Sequence, residues 1–179
     1  AITLIQLPVV ILCAFGFTWA KFKGKGILFI FYIVLMMMPL QVTILPNYIG
    51  LRDMGLINTQ WGIILPMIFS PFGAVVMHQY MKGTDSSVIE AARLETNSVF
   101  RVILVSVIPQ LRVCIFAVVL FVFAESWNMV EQPMLFLNDK GLKTMSVFIS
   151  ESGSYAGAVL FPAAVIFLIP VLLLYLFFS

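Results

Sequence analysis

Few side chains here are equipped to make or break a covalent bond. His78 is the sole histidine, and Cys13 and Cys114 are the two cysteines. His78 sits beside Gln79 and Tyr80 with no second ligand at metal spacing, so it is expected at a membrane boundary. The cysteines lie in separate apolar runs and are expected as packed or lipid-facing thiols, not a disulfide or metal site. No G-x-x-x-x-G-K, G-x-S-x-G, H-E-x-x-H or C-x-x-C pattern occurs. No enzymatic activity, bound cofactor or metal is therefore expected of this chain. The richest polar grouping is Ser87-Val88-Ile89-Glu90-Ala91-Ala92-Arg93-Leu94-Glu95, whose chemistry is recognition. Ser87 to Glu90 reads as a capping box, with Ser87 as N-cap and Glu90 reaching back to its N–H. Ala91, Ala92, Arg93 and Leu94 are good helix formers, so a short helix is expected from about Val88. Val88, Ala91 and Ala92 share a face, two adjacent alanines let another backbone approach closely, and Glu90, Arg93 and Glu95 stay available to a partner. An amphipathic loop helix that caps the bundle and contacts nothing fits the pattern alone slightly better.

The elements that must position this stretch follow from composition. Of 179 residues, 62% are hydrophobic and only 10% charged, with a mean hydropathy of +1.10. Soluble domains carry about 25% charged residues, so the chain is built for lipid. Backbone polar groups must then be satisfied inside helices or a closed barrel. The apolar runs are continuous rather than alternating, which selects helices. With about 20 apolar residues per crossing, five spans are expected: Ile2–Ala20, Ile27–Leu45 broken by Pro39, Trp61–Tyr80 kinked at Pro66 and Pro71, Val102–Trp127 interrupted at Pro109 and Arg112, and Gly157–Phe178. Polar loops are expected at 46–60 and 128–155. The Met36–Met38 run reads as packing filler.

Basic residues orient these spans. Lys21, Lys23, Lys25, Lys82, Arg93, Arg101 and Arg112 fall on one side, and Arg52, Lys140 and Lys143 on the other, seven against three. The positive-inside rule puts 81–101 in the cytoplasm and both polar loops outside. Trp61, Tyr80 and Trp127 sit at boundaries, as interfacial aromatics do. The Lys21–Lys25 cluster is short and juxtamembrane, so anionic lipid is its expected partner and nucleic acid is not. The chain starts at Ala1 and ends inside an apolar run. A cytoplasmic N-terminus would need one further span before Ile2, so five spans of six are expected, without the first span and the C-terminal tail.

Three segments together carry a family resemblance. Glu90-Ala91-Ala92-Arg93-Leu94-Glu95 with Ile108-Pro109 resembles the EAA signature of binding-protein-dependent ABC importer permeases. Leu56-Ile57-Asn58-Thr59-Gln60-Trp61-Gly62 looks like the outer-loop pattern of the carbohydrate branch, and Ser126-Trp127-Asn128 like its G-S-W-N segment. The chain is thereby similar to maltose-type and glycerol-3-phosphate-type inner-membrane permeases. The resemblance implies an all-α, polytopic, type I importer permease fold in a bacterial cytoplasmic membrane. It implies a single permease domain over 1–179 whose segment 84–101 carries a coupling helix docked on a separate ATPase, with Glu90, Ala91, Ala92, Arg93, Leu94 and Glu95 as coupling residues. The implied partners are a second, like or unlike permease subunit, two ATP-binding subunits that hydrolyse the ATP, an extracytoplasmic solute-binding protein, and the bilayer. The family's Gly after the helix is Thr96 here, with Asn97 next and able to take a left-handed turn. Its usual Pro is Asp85.

A sugar pathway needs hydroxyl-binding groups, for which Gln41, Glu125 and Asn128 are the candidates, with Gln6 behind them. The alternatives are interhelical hydrogen bonds for the amides, and for Glu125 a place at the outer interface beside Trp127, where its span ends. The scarcity of basic groups at membrane depth favours a neutral saccharide. A stand-alone secondary transporter or channel would show inverted repeats or paired intramembrane charges, and neither is visible. A non-transporting membrane subunit is the other alternative.

Overall fold

The computed structural model describes residues 1–151 and 157–178. The last part of the expected second outer loop, 152–156, and Ser179 lie outside the described residues. Every element found among the described residues is helical: α1 (Ile2–Trp19), α2 (Lys25–Met36), α3 (Leu40–Asp53), α4 (Gln60–Met67), α5 (Pro71–Lys82), α6 (Ser86–Glu95), α7 (Val99–Val102), a π turn (Ile103–Val107), α8 (Ile108–Asn128), α9 (Glu131–Phe136), a 3-10 turn (Lys140–Leu142), α10 (Met145–Glu151) and α11 (Gly157–Phe178). Three helices among the described residues are long and apolar enough to cross a membrane: Ile2–Trp19, Gln60–Lys82 and Val99–Asn128. The expected Gly157–Phe178 helix forms over those bounds.

The second expected span departs from a simple crossing. α2 ends at Met36 and α3 starts at Leu40, with Pro39 in extended conformation ahead of α3. The expected loop from Pro46 is instead helix as far as Asp53. Pro46 removes one backbone donor, but Leu51 is buried with Ile63, Phe136 and Leu137, and Ile44 and Tyr48 pack on that cluster. Positions 44, 48 and 51 are one helical stripe, and its burial outweighs one lost bond. A Schellman motif ends α3: Gly55 takes φ 68°, its N–H donates to Arg52 O, and the Leu56 N–H donates to Leu51 O. Met36–Met38 are exposed at the bend, so they fill no gap in this chain.

The chain forms two compact units. One comprises Ala1–Gln6, Met37–Phe69 and Leu120–Ser179, the other Leu7–Met36 and Ser70–Val119. In the second, a Cβ on Gly73 would stand 3.3 Å from side-chain atoms of both Val10 and Val118, the close helix approach that small residues permit. α5 starts where Ser70 Oγ accepts the Gly73 N–H at 3.2 Å and Pro71 occupies the first position. His78, near the end of α5, is packed inside the protein, 3% exposed. Its Nδ1 lies 2.9 Å from Thr18 Oγ1, and the Phe29 ring packs against its ring at 4.4 Å between centres, tilted by 58°. Thr18 Oγ1 also lies 2.7 Å from Ala14 O and 3.6 Å from Met81 Sδ. Lys25 Nζ caps the end of α1, donating to Thr18 O at 2.9 Å and Ala20 O at 3.2 Å.

Pro109 does not interrupt its helix. Ile108 N–H bonds back five residues to Ile103 O. The wider turn leaves room for the ring that an α turn would press on the Val105 carbonyl. The helix therefore runs unbroken over Val99–Asn128, 30 residues.

Candidate functional site

The segment between α5 and α7 forms the expected short helix, with a different start from the one expected. Asp85, not Ser87, is the N-cap: its Oδ1 accepts the Ser87 N–H at 2.9 Å. α6 thus begins at Ser86. A carboxylate at a helix N-terminus adds favourable charge to the cap bond, which explains why it prevails over the serine box two residues on. The hydrogen bond from the Ser87 backbone N–H holds the Asp85 carboxyl below its ordinary value of 3.8.

The helix closes without a left-handed residue. Thr96 is extended at φ −148° and ψ 138°, and its N–H still donates to Ala92 O. Its Oγ1 accepts the Ser98 N–H at 3.2 Å, and Ser98 Oγ accepts the Arg101 N–H at 3.4 Å to start α7. The turn is made by two hydroxyls. Asn97 has no positive φ; among the described non-glycine residues Asn58 does.

α6 packs on α7 and on the π turn. Its anchor is Ile89, 2% exposed, with Ala92 half-buried one turn later. The face expected at Val88, Ala91 and Ala92 is therefore displaced inward to Ile89 and Ala92. Glu90, Ala91, Arg93, Leu94 and Glu95 are exposed, and Leu94 most of all, at 91%. Arg93 leans back, its guanidinium 5.9 Å from the Phe15 ring centre in a cation–π contact. The two share the wall of a cavity of ≈ 220 Å³ with Thr96, Asn97, Val99 and Val102. The exposed acid, alanine and leucine make a small mixed surface suited to docking a protein.

In the other unit, Glu125 and Asn128 are brought together. Both line a pocket of ≈ 340 Å³ with Leu40, Met67, Glu131 and Gln132. Gln41 is exposed and does not line it, although its neighbour Leu40 does. Gln6 is buried with Oε1 unpartnered. Glu131 and Gln132 were not singled out from sequence; the signal was their placement a few residues past Asn128 in an otherwise apolar stretch.

The two remaining motif segments are structural devices. Asn58, at φ 60°, accepts the Asn138 and Asp139 N–H groups on Oδ1 at 3.0 and 2.9 Å and donates its own N–H to Phe136 O at 2.8 Å. Thr59 caps α4, accepting the Gly62 N–H at 3.3 Å. A Cβ on Gly62 would fall 2.6 Å from Leu56 O. Trp127 Nε1 donates to Phe167 O at 2.9 Å, with its ring stacked between Phe123 and Phe167, so it ties α8 to α11.

A capped helix packed at the start of a long apolar helix, and two loops clamped together at Asn58, are the local features of this fold. The model of the family described as "Binding-protein-dependent transport system inner membrane component" matches residues 6–179. The chain belongs to that family, one of membrane components of transport systems rather than of enzymes, and it is a multi-pass protein of the bacterial inner membrane. It is 28% identical over 168 residues to the arabinooligosaccharides transport system permease protein AraQ of Bacillus subtilis, covering 92% of this chain and 60% of that protein. It is 28% identical over 147 residues to the sn-glycerol-3-phosphate transport system permease protein UgpE of Agrobacterium fabrum, covering 82% and 52%. The chain thus spans between half and two thirds of the length of these relatives. A crystal structure of a bacterial ABC transporter involved in the import of the acidic polysaccharide alginate shares the fold, with a TM-score of 0.80 at 19% identity over 96% of this chain and 67% of that one.

Proposed function

We propose that this chain is the permease subunit of an ABC transporter that imports a sugar or oligosaccharide across the cytoplasmic membrane. A second permease subunit, two ATP-binding subunits and an extracytoplasmic solute-binding protein complete the machine, and ATP is hydrolysed on the partner chains. The observation that carries this reading is α6. It is a capped helix that presents Glu90, Ala91 and Leu94 outward and packs on the start of the Val99–Asn128 helix.

The mechanism is rigid-body coupling. An ATPase that grips the exposed face moves α6, and Ile89 transmits that movement to α7 and the π turn. The 30-residue helix then shifts as a lever between two arrangements of the spans. Ala91 permits close approach, Leu94 supplies an apolar knob, and Glu90 supplies an acid for a basic partner group. The sugar class is supported by AraQ, whose name specifies arabinooligosaccharides, and by the absence of basic candidates among the pathway residues.

The test is to change Glu90→Lys and, separately, Leu94→Asp in the assembled transporter. ATPase copurification and sugar uptake should both fall several-fold while membrane insertion persists. Full copurification and uptake in both variants would show that α6 docks no ATPase.

A further inference from the structure

Lysines gather where α1, α2 and α5 meet, on the side that the basic residues place in the cytoplasm. Lys21, Lys23 and Lys25 connect α1 to α2, and Lys82 ends α5. The first acid in the sequence is Asp53. The ion pairs among the described residues are Arg52–Asp53 and Lys143–Glu151, and neither uses these lysines. Packing brings the helix ends together. Thr18 Oγ1, in the last turn of α1, lies 2.9 Å from His78 Nδ1 and 3.6 Å from Met81 Sδ on α5. Lys82 Nζ, one residue on, stands 6.0 Å from the centre of the Phe29 ring on α2. Lys25 is already committed: its Nζ donates to Thr18 O and Ala20 O and so fixes the connection. Lys21, Lys23 and Lys82 stay exposed. Asp85, the acid that follows Lys82 in the chain, has its Oδ1 engaged by the Ser87 N–H.

Depth and neighbouring surface together select the partner. Ile2–Trp19 and Gln60–Lys82 are both long and apolar enough to cross a membrane. The lysines stand directly at the ends of these two runs, so they lie at the level of the lipid headgroups, with Trp19 and Tyr80 beside them as interfacial aromatics. Apolar surface adjoins the charge. Phe22 separates Lys21 from Lys23, and Ile27, Ile30 and Phe31 follow on α2, all exposed. α2 has no fully buried residue along its length. A basic rim for phosphate beside an apolar helix for acyl chains is the chemistry of an anionic phospholipid. An acidic protein face would match the lysines alone. We propose that Lys21, Lys23 and Lys82 bind the headgroup of an anionic phospholipid of the cytoplasmic leaflet, whose acyl chains run along α2. The sequence pattern points to Lys21–Lys25 for such a role; the packing takes Lys25 out of it and brings Lys82 in. The proposal does not depend on the cargo or on the importer reading. It sets a lipid at the root of α6, because Lys82 lies just ahead of the Asp85 cap.

The experiment is native mass spectrometry of the complete, detergent-purified transporter, titrated with phosphatidylglycerol or with phosphatidylcholine of the same acyl chains. Each lysine near an anionic headgroup contributes roughly fivefold in affinity. The variant Lys21→Gln/Lys23→Gln/Lys82→Gln should therefore lose its tightest phosphatidylglycerol, with affinity down about tenfold or more, and should bind phosphatidylcholine as the parent does. Lys21→Arg/Lys23→Arg/Lys82→Arg should keep the phosphatidylglycerol. Phosphatidylglycerol should also raise the melting temperature of the parent and of the arginine variant, but not of the glutamine variant. Undiminished phosphatidylglycerol binding in the glutamine variant, or an equal loss of phosphatidylcholine, would overturn the site. Inorganic phosphate tests a soluble anion: if it stabilises the parent as much as phosphatidylglycerol does, the occupant is not a lipid. If the glutamine variant sheds the ATP-binding subunits while its phosphatidylglycerol binding is intact, the lysines serve an acidic protein face and the proposal falls.

Discussion

Asp85 shows how much one side chain decides. It fixes the start of α6, and its carboxyl is held low by the Ser87 N–H. A depressed folded value means that the cap's contribution is complete above the unfolded value, near 3.9, and is lost as pH falls through the folded one. Amide exchange in α6 should therefore be insensitive to cap titration from neutral pH down to about 4 and accelerate below that. Asp85→Ala should give the accelerated pattern at every pH, and Asp85→Ser should largely restore protection. Unchanged α6 exchange in the alanine variant would refute the cap. Asn58 and Gly62 are equally decisive. Asn58→Ala loses an acceptor for two N–H groups and puts a less tolerant residue at φ 60°, the left-handed term alone costing about 1–2 kcal/mol. Gly62→Ala forces a Cβ onto Leu56 O. Both should lower the melting temperature of the purified transporter, whereas Asn58→Asp, which keeps the acceptor, should recover most of the loss. Sequence patterns flagged these residues, but not why they are there. Asp85 looked like a departure from a motif because a cap is recognised only when the helix start is known.

At the scale of elements, the contrast between Ile89 and Leu94 is the sharpest test. Both are apolar residues of one short helix, yet one is 2% and the other 91% exposed. Ile89→Ala should destabilise the unit by about 2–5 kcal/mol, seen as a lower denaturation midpoint. Leu94→Ala should leave that midpoint unchanged and weaken ATPase association. Equal loss of stability in both would mean that α6 has no inner face. Gly73→Leu should cost as much as Ile89→Ala, because its Cβ alone already crowds Val10 and Val118 at 3.3 Å. Element types were legible wherever apolar runs were long: Ile2–Trp19 and Gly157–Phe178 fall within a residue of expectation. Bounds failed at prolines. Pro46 suggested a loop and Pro109 an interruption, yet a buried stripe carries α3 through the first and a π turn absorbs the second. Proline penalties are local, and these compensations come from packing or from a neighbouring turn that no local pattern records.

For the whole molecule, composition alone was enough to specify a helical membrane protein, and the placement of ten basic residues gave an orientation. A cysteine at Ser87, in a background lacking Cys13 and Cys114, should react with a membrane-impermeant maleimide only from the cytoplasmic side; labelling of intact cells from outside would invert the topology. The helix at Ser86–Glu95 was legible because it is contiguous in sequence. The pocket was only half legible, since Leu40 and Met67 join it from other helices and ordinary aliphatic residues advertise nothing. The Asn58 clamp carries a consequence for biosynthesis. Its two donors lie 80 and 81 residues further along the chain. At about 5–20 residues per second, the ribosome delivers them roughly 4–16 s after Asn58. For that interval the loop around Asn58 must wait unlatched while two more membrane helices, Gln60–Lys82 and Val99–Asn128, are inserted. The second loop, on arrival, closes a latch already in place, so slowed elongation or a misinserted middle helix should leave the first loop open to an added protease.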